Sequence, residues 1–201
     1  IIYTSDHGEY LGDHRMTAKS FAHEPAAHIP MILRMPLSMG DGLADIQNET
    51  PVTLADVMPT ILTAANAQMP QTLDGQDLAG IARGQSKNRH YVLIHGASGA
   101  CFGITDGRWK YIYFPDGAVE QLFDLHEDPM ELKNLAGETG YAEEQKRLRD
   151  ELIKQGKERS LKAIENNDLL KRPPLDTRYE RSARWQWPAF FSEYYVKDVR
   201  H

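Results

Sequence analysis

The residues best equipped for chemistry fall within the first nineteen positions, IIYTSDHGEYLGDHRMTAK. Asp6 and His7 are adjacent, and Gly8 after them lets the backbone leave a pleat so that both side chains can turn toward one point. A carboxylate beside an imidazole is half of a divalent-metal site. The oxygen of Asp6 suits a hard ion such as Ca²⁺ or Mg²⁺, and the nitrogen of His7 leans toward Mn²⁺ or Zn²⁺. Two donors complete no coordination sphere, because Zn²⁺ takes four and Ca²⁺ six or more. Lys19, thirteen positions after Asp6, adds a cation that could meet the oxygens of a bound anionic ester. A strand that simply ends in a polar turn accounts for the same residues, and Asp13 with His14 also reads as a turn or helix cap.

Elements that could position these groups follow from the hydrophobic pattern. Ile1 to Tyr3 with Thr4 reads as a buried strand, and IPMILRM (29–35) as a second; their separation suits neighbouring strands of an α/β sheet better than a hairpin. That arrangement places Asp6 and His7 outside a strand's carboxyl end, where open α/β sheets build sites. Over 51–66 the spacing predicts a tight turn near Thr53–Asp56, then a helix with Pro59 in its first turn. A short helix over 76–83 ends at Gly84.

From Arg89 the texture changes to short β-rich runs with Asp106-Gly107 and Asp116-Gly117 at two junctions, which predicts an antiparallel meander. Residues 141–157 predict a charged helix burying Leu148, Leu152 and Ile153, with Glu143–Arg147 and Asp150–Lys154 pairs on its solvated face. The Pro-rich, aromatic tail after Lys171 is expected to lie extended over a neighbouring surface.

Composition narrows the partners. The chain has 201 residues, a net charge of −6, 41% apolar and 26% charged residues, the proportions of an ordinary globular protein. Excess negative charge argues against nucleic acid and against an acidic membrane surface. One cysteine, Cys101, excludes an internal disulfide. No run reaches the roughly 18 apolar residues of a spanning helix, and no charged-then-apolar leader opens the chain.

Several blocks, in order, carry a resemblance: TSDHGEYLGDH, then Lys19, then EPAAHIPMILRMP; VTLADVMPTILTAANAQMPQTLDGQDLAG; TDGRWKYIYF; and QLFDLHEDPMELKNLA. Over about Ile1 to Leu152 the chain resembles the C-terminal portion of the sulfatase family, within the alkaline phosphatase superfamily. The resemblance implies that Asp6 and His7 are metal ligands, with calcium first and manganese or magnesium as alternatives, and that Lys19 contacts the sulfate. It gives Glu9, His14 and His23 no fixed role beyond a possible pocket wall, and His28 reads as structural. The family's nucleophile is a formylglycine made from a Cys/Ser-x-Pro-x-Arg motif. That motif does not occur among the 201 residues, and Cys101, followed by Phe-Gly-Ile, is not that nucleophile. The nucleophile and the remaining acidic ligands are therefore expected in a missing N-terminal half.

The expected fold is α/β: part of an alkaline-phosphatase-like three-layer α/β/α sandwich over 1–87, a small antiparallel sheet with a packed helix over 88–160, and an extended tail over 161–201. The expected activity is hydrolysis of a small anionic sulfate ester by the parent enzyme. A phosphonate or phosphate ester hydrolase of the same superfamily, and a non-catalytic fragment, are the alternatives.

Overall fold

A computed structural model describes residues 1–36, 46–85 and 89–174. They form two compact units. The first is Ile1–Asp6 with Ile29–Val92; the second is His7–His28, which holds the short helix α1 (Glu24–Ala27), with the described chain from Leu93 to 174. The sequence reading places boundaries at 87/88 and 160/161; in the structure the segment 7–28 groups with the β-rich second unit.

In the first unit, β1 (Ile2–Thr4) and β2 (Met31–Leu33) pair with Tyr3 opposite Ile32. The pairing is antiparallel, and the strands are not buried on both faces as their apolar runs predicted. Ile2, Thr4, Met31 and Leu33 are half-buried, but Tyr3 and Ile32 are 62% and 59% exposed. A period-2 strand buries both faces only when both are covered, and the described residues of this unit cover one. On that side Met31 and Leu33 border a cavity of ≈150 Å³ with Leu78 and Ile81 of α3 (Leu78–Ala82).

Before α2 (Val57–Ala64), a single 3₁₀ turn, Leu54–Asp56, is closed by a capping box: Thr53 N donates to Asp56 Oδ2 (2.7 Å), and the Thr53 side chain takes the reciprocal bond. Pro59 stands in the first turn of α2, as predicted. Asp56, fully buried, also accepts from Gln76 N (2.7 Å) and from both terminal nitrogens of Arg89 (2.5 and 2.7 Å), so one carboxylate ties together three stretches of chain. Asp77 caps α3 through Ala79 N and Gly80 N, and Gly84 (φ 67°) ends it.

The second unit is built on the predicted meander, β3 (Val92–His95), β4 (Phe102–Thr105), β5 (Trp109–Phe114) and β6 (Val119–Asp124), in that spatial order. Asp106 Oδ1 accepts from Arg108 N and Trp109 N while Gly107 takes φ 96°, which is why Asp-Gly makes the turn. From Lys110 to Phe114 every residue is buried, so both faces of β5 are covered. On one, Ile112, Phe114 and Phe123 pack with Cys101 and with Phe21 and Ala22 of the 7–28 segment. The other packs against α4 (Ala142–Glu158), whose Leu148 and Leu152 are fully buried. Each such leucine contributes roughly 1.5–3 kcal/mol.

Two details of α4 differ from the prediction. The third residue of its buried stripe is Gly156, not Ile153, because a side chain at 156 would meet Ile164 of β7 (Ile164–Glu165) at 2.7 Å. The ion pairs are Glu144–Arg147, Lys146–Asp150 and Glu151–Lys154 instead of Glu143–Arg147 and Asp150–Lys154; Arg147 turns inward to Asp106 (2.7 Å). β7 pairs with β8 (Asp168–Leu169) in a small hairpin, and Arg172 bridges to Asp116, where an extended tail was expected from 161. The tail beyond 174 lies outside the described residues. No described helix is long and apolar enough to cross a membrane.

Candidate functional site

Asp6 is the second residue past the carboxyl end of β1, and His7 follows it into the second unit. Asp6 is exposed and His7 half-buried. His7 Nδ1 lies 2.8 Å from the carbonyl oxygen of Gly8, which can only accept, so Nδ1 carries the proton and Nε2 is the basic nitrogen. Gly8 is required for a steric reason. Its N–H donates to Ala26 O (2.9 Å), and a Cβ there would sit 2.0 Å from the Pro25 carbonyl oxygen.

The segment that follows is wound tightly. Tyr10 N donates to Ala18 O, Gly12 N to Met16 O and Met16 N to Asp13 O, each at 2.9 Å. Leu11, His14, Arg15 and Ala18 all have positive φ, between 49° and 64°. Four non-glycine residues in that region within eight positions is an unusual density, and such strain persists only where surrounding packing over-determines it. Here the packing is a cluster of Tyr10, Met16 and Ala26 beside Phe21. Lys19 is exposed on a pinned backbone: Ala18 O accepts from Tyr10, and Ser20 O accepts from Ala97 N (2.8 Å).

His14 and His23 are brought together, their rings stacked with centroids 4.5 Å apart. His23 is 2% exposed and sits in the core. Its Nε2 is 3.0 Å from Gln121 Oε1 and its Nδ1 2.8 Å from the Tyr10 hydroxyl. An amide oxygen only accepts, so Nε2 donates to Gln121 and the Tyr10 O–H donates to Nδ1. Burial, then the nearby His14 and Lys110, push the His23 pKa down to about 3, and burial raises that of Tyr10. His23 is neutral at all physiological pH.

Sequence reasoning missed the centre of this region. Lys110 of β5 is fully buried, its ammonium paired with Glu24 and, at 2.8 Å, with Glu131. Glu131 is equally enclosed, and its other oxygen accepts from Glu24 N (2.7 Å) and lies 3.8 Å from His14 Nε2. Glu24 also holds His28 Nδ1 at 2.6 Å. Burial alone would raise the Glu24 carboxyl, but the bond from His28 and the Lys110 charge outweigh it and hold it at about 2. Glu131, more deeply buried, is shifted upward. His28 is shifted upward by its bond to Glu24. The signal in the sequence was a lysine among WKYIYF, where the alternate positions are apolar on both faces of the strand.

Above this network, Asp13, Glu24, Pro25, His28, Leu125 and Met130 are among the residues lining a cleft of ≈430 Å³. Cys101 is fully buried and its thiol is pushed up to about 12 by that burial, which removes it as a nucleophile. Among the described residues no three His, Cys, Asp or Glu side chains are grouped to hold a metal ion.

Residues 12–158 match the family model described as N-sulphoglucosamine sulphohydrolase, C-terminal. Human arylsulfatase K is 36% identical over 151 residues, 68% of this chain and 27% of that protein. An arylsulfatase of Clostridium perfringens is 32% identical over 184 residues, 88% of this chain and 37% of that protein. Among solved structures, a 2-O GAG sulfatase superposes with a TM-score of 0.65 at 30% identity, over 80% of this chain and 38% of the other. The phosphonate monoester hydrolase of Agrobacterium radiobacter gives 0.64 at 28% identity, over 87% and 39%. The chain thus spans about a quarter to two-fifths of the length of these proteins.

Proposed function

Because the chain belongs to the sulfatase family, as its N-sulphoglucosamine sulphohydrolase C-terminal domain, we propose that it is the C-terminal part of a metal-dependent hydrolase of sulfate esters. Its mixed α/β architecture is part of the alkaline-phosphatase-like fold of these enzymes. The observation that carries the reading is positional. Asp6 and His7 stand at the carboxyl end of β1, and Lys19 rises from a backbone fixed on both sides.

The donor set fits half of a divalent-cation site. An exposed carboxylate and an imidazole whose Nδ1–H is spent on Gly8 O, leaving Nε2 basic, are what such an ion requires. Asp6 and His7 Nε2 would hold the cation, calcium first and manganese or magnesium as alternatives, with the other donors supplied by the rest of the enzyme. When bound, the cation polarises the ester oxygens. Lys19 binds the anion and offsets the charge that develops as the S–O bond breaks. The attacking formylglycine belongs to the N-terminal half of the enzyme, because no Cys/Ser-x-Pro-x-Arg motif occurs in this chain.

A second reading, hydrolysis of phosphonate monoesters, is favoured by the likeness to the Agrobacterium enzyme. The same cation and lysine can neutralise either tetrahedral anion. The test is the complete enzyme assayed with an aryl sulfate and with an aryl phosphonate monoester, wild type beside Asp6→Ala. Sulfate release that falls about a hundredfold or more in the variant, at unchanged Tm, supports the proposal. Preferential phosphonate cleavage selects the second reading, and an active Asp6→Ala enzyme sinks both.

A further inference from the structure

A fully buried lysine with two carboxylates is an expensive way to hold a sheet together, since apolar residues of similar volume serve stability as well or better. What the Lys110 group does that apolar packing cannot is join specific points of the chain. Lys110 comes from β5, Glu131 from the loop after β6, and Glu24 from the segment 7–28. Through Glu131 the ammonium reaches His14 Nε2 (3.8 Å) and the backbone N–H of Glu24 (2.7 Å). Through Glu24 it reaches His28 Nδ1 (2.6 Å). Positions 14, 24 and 28 bracket Lys19 and lie on the same segment that Gly8 ties back to Ala26 beside His7. Glu131 itself has φ 53°, so its backbone accepts an unfavourable conformation in delivering a carboxylate to the interior.

We propose that Lys110 is a positioning residue for the ester-binding site: with Glu131 and Glu24 it locks the strained 7–28 segment so that Lys19 meets the substrate's anionic oxygens in one fixed place. This rests on the reading of Lys19 as the anion-contacting cation. Lys110 touches no substrate and acts through the segment it holds. An ammonium suits this work because its donors satisfy two carboxylates from distant stretches of chain at once, and each bond fixes a point that packing alone would leave free to slide.

The test uses the complete enzyme and a double-mutant cycle. Lys110→Met with Glu131→Gln removes the central charges together, and the Glu24 carboxylate keeps His28 as its partner. The expected result is a folded enzyme with kcat/KM for an aryl sulfate lowered at least about tenfold. Its Kd for inorganic sulfate, measured by calorimetry, should rise by a similar factor. On a Lys19→Ala background the same pair of substitutions should change kcat/KM less than about twofold, because the residue it positions is gone. Glu131→Gln alone should reproduce the effect in weaker form.

Equal losses on both backgrounds, or wild-type sulfate affinity in the folded pair variant, would overturn the proposal. So would failure of both the pair variant and Glu131→Gln to fold, which marks the network as structural only. If Lys19→Ala is itself harmless, the sulfate-site reading falls; if Lys19→Ala is damaging and the network variants are not, the positioning role alone falls.

Discussion

The two units bury charge and apolar surface in opposite ways. In the first, one enclosed carboxylate, Asp56, gathers a helix N-terminus, Gln76 and Arg89, and every group it holds lies in that unit's own framework. In the second, Lys110 and Glu131 reach outward from the sheet to the strained segment that carries Lys19. Apolar residues follow the same division. Tyr3 and Ile32 leave one face of the β1–β2 pair open, while β5 is covered on both faces. A buried ion group can therefore be a framework joint or a hinge pin, and the identity of the segments it joins decides which.

The contrast in apolar burial is the easiest part to break. Ile112 and Ile32 both occupy strands, one fully buried and the other 59% exposed. Truncating Ile112 to Ala should destabilise by about 2–5 kcal/mol, whereas Ile32→Ala should stay within about 0.5 kcal/mol, as read by urea denaturation of the same chain. Comparable effects at the two sites would mean that the open face of the first unit is covered in solution.

A pH titration sharpens the view of the second unit. His23 is held neutral in the fold down to about pH 3, while an unfolded histidine protonates near its ordinary value of 6.5. A depressed pKa contributes stability that is present above 6.5 and lost as pH falls, because the unfolded state then binds the extra proton. Between about pH 6.5 and 5 the unfolding constant should rise roughly tenfold per unit on this account, an effect that His23→Gln should flatten. His28, shifted upward by its bond to Glu24, acts in the opposite sense near its ordinary value, and Glu24, held at about 2, adds to the loss as pH falls into the ordinary carboxylate range. Glu131, shifted upward, acts in the opposite sense nearer the ordinary carboxylate range. An unaltered slope in the variant would place the titrating group elsewhere.

The smallest effect belongs to the first unit's cap. Thr53→Ala removes one arm of the capping box and should cost about 1 kcal/mol, because Asp56 retains Gln76 and Arg89. A much larger loss would show the cap to be as central as the carboxylate behind it.

Local physics made much of this fold legible before any coordinates. The Asp-Gly turns, the four strands of the meander, Pro59 in the first turn of α2 and the Leu148–Leu152 stripe follow from dihedral preference and period, which act over a few residues. Direction and coverage of β1 and β2 did not, because an apolar run carries no record of which faces will be covered. Gly156 was invisible for a related reason: its space is taken by Ile164 of a hairpin that only the fold brings near. The candidate site divides likewise. Asp6, His7 and Lys19 stand out by residue type and spacing. Lys110 and Glu131 stand 86 and 107 positions from Glu24, and Gln121 stands 98 from His23, and only the stacking of the 7–28 segment on the sheet joins them.

The contact at Gly8 has a bearing on how this segment could vary. Since even a methyl group there would overlap the Pro25 carbonyl, His7 cannot drift independently of the wall eighteen residues on; the two are welded by a missing atom. Substitutions in this region would then have to be accepted at neighbouring side chains, leaving the weld itself untouched.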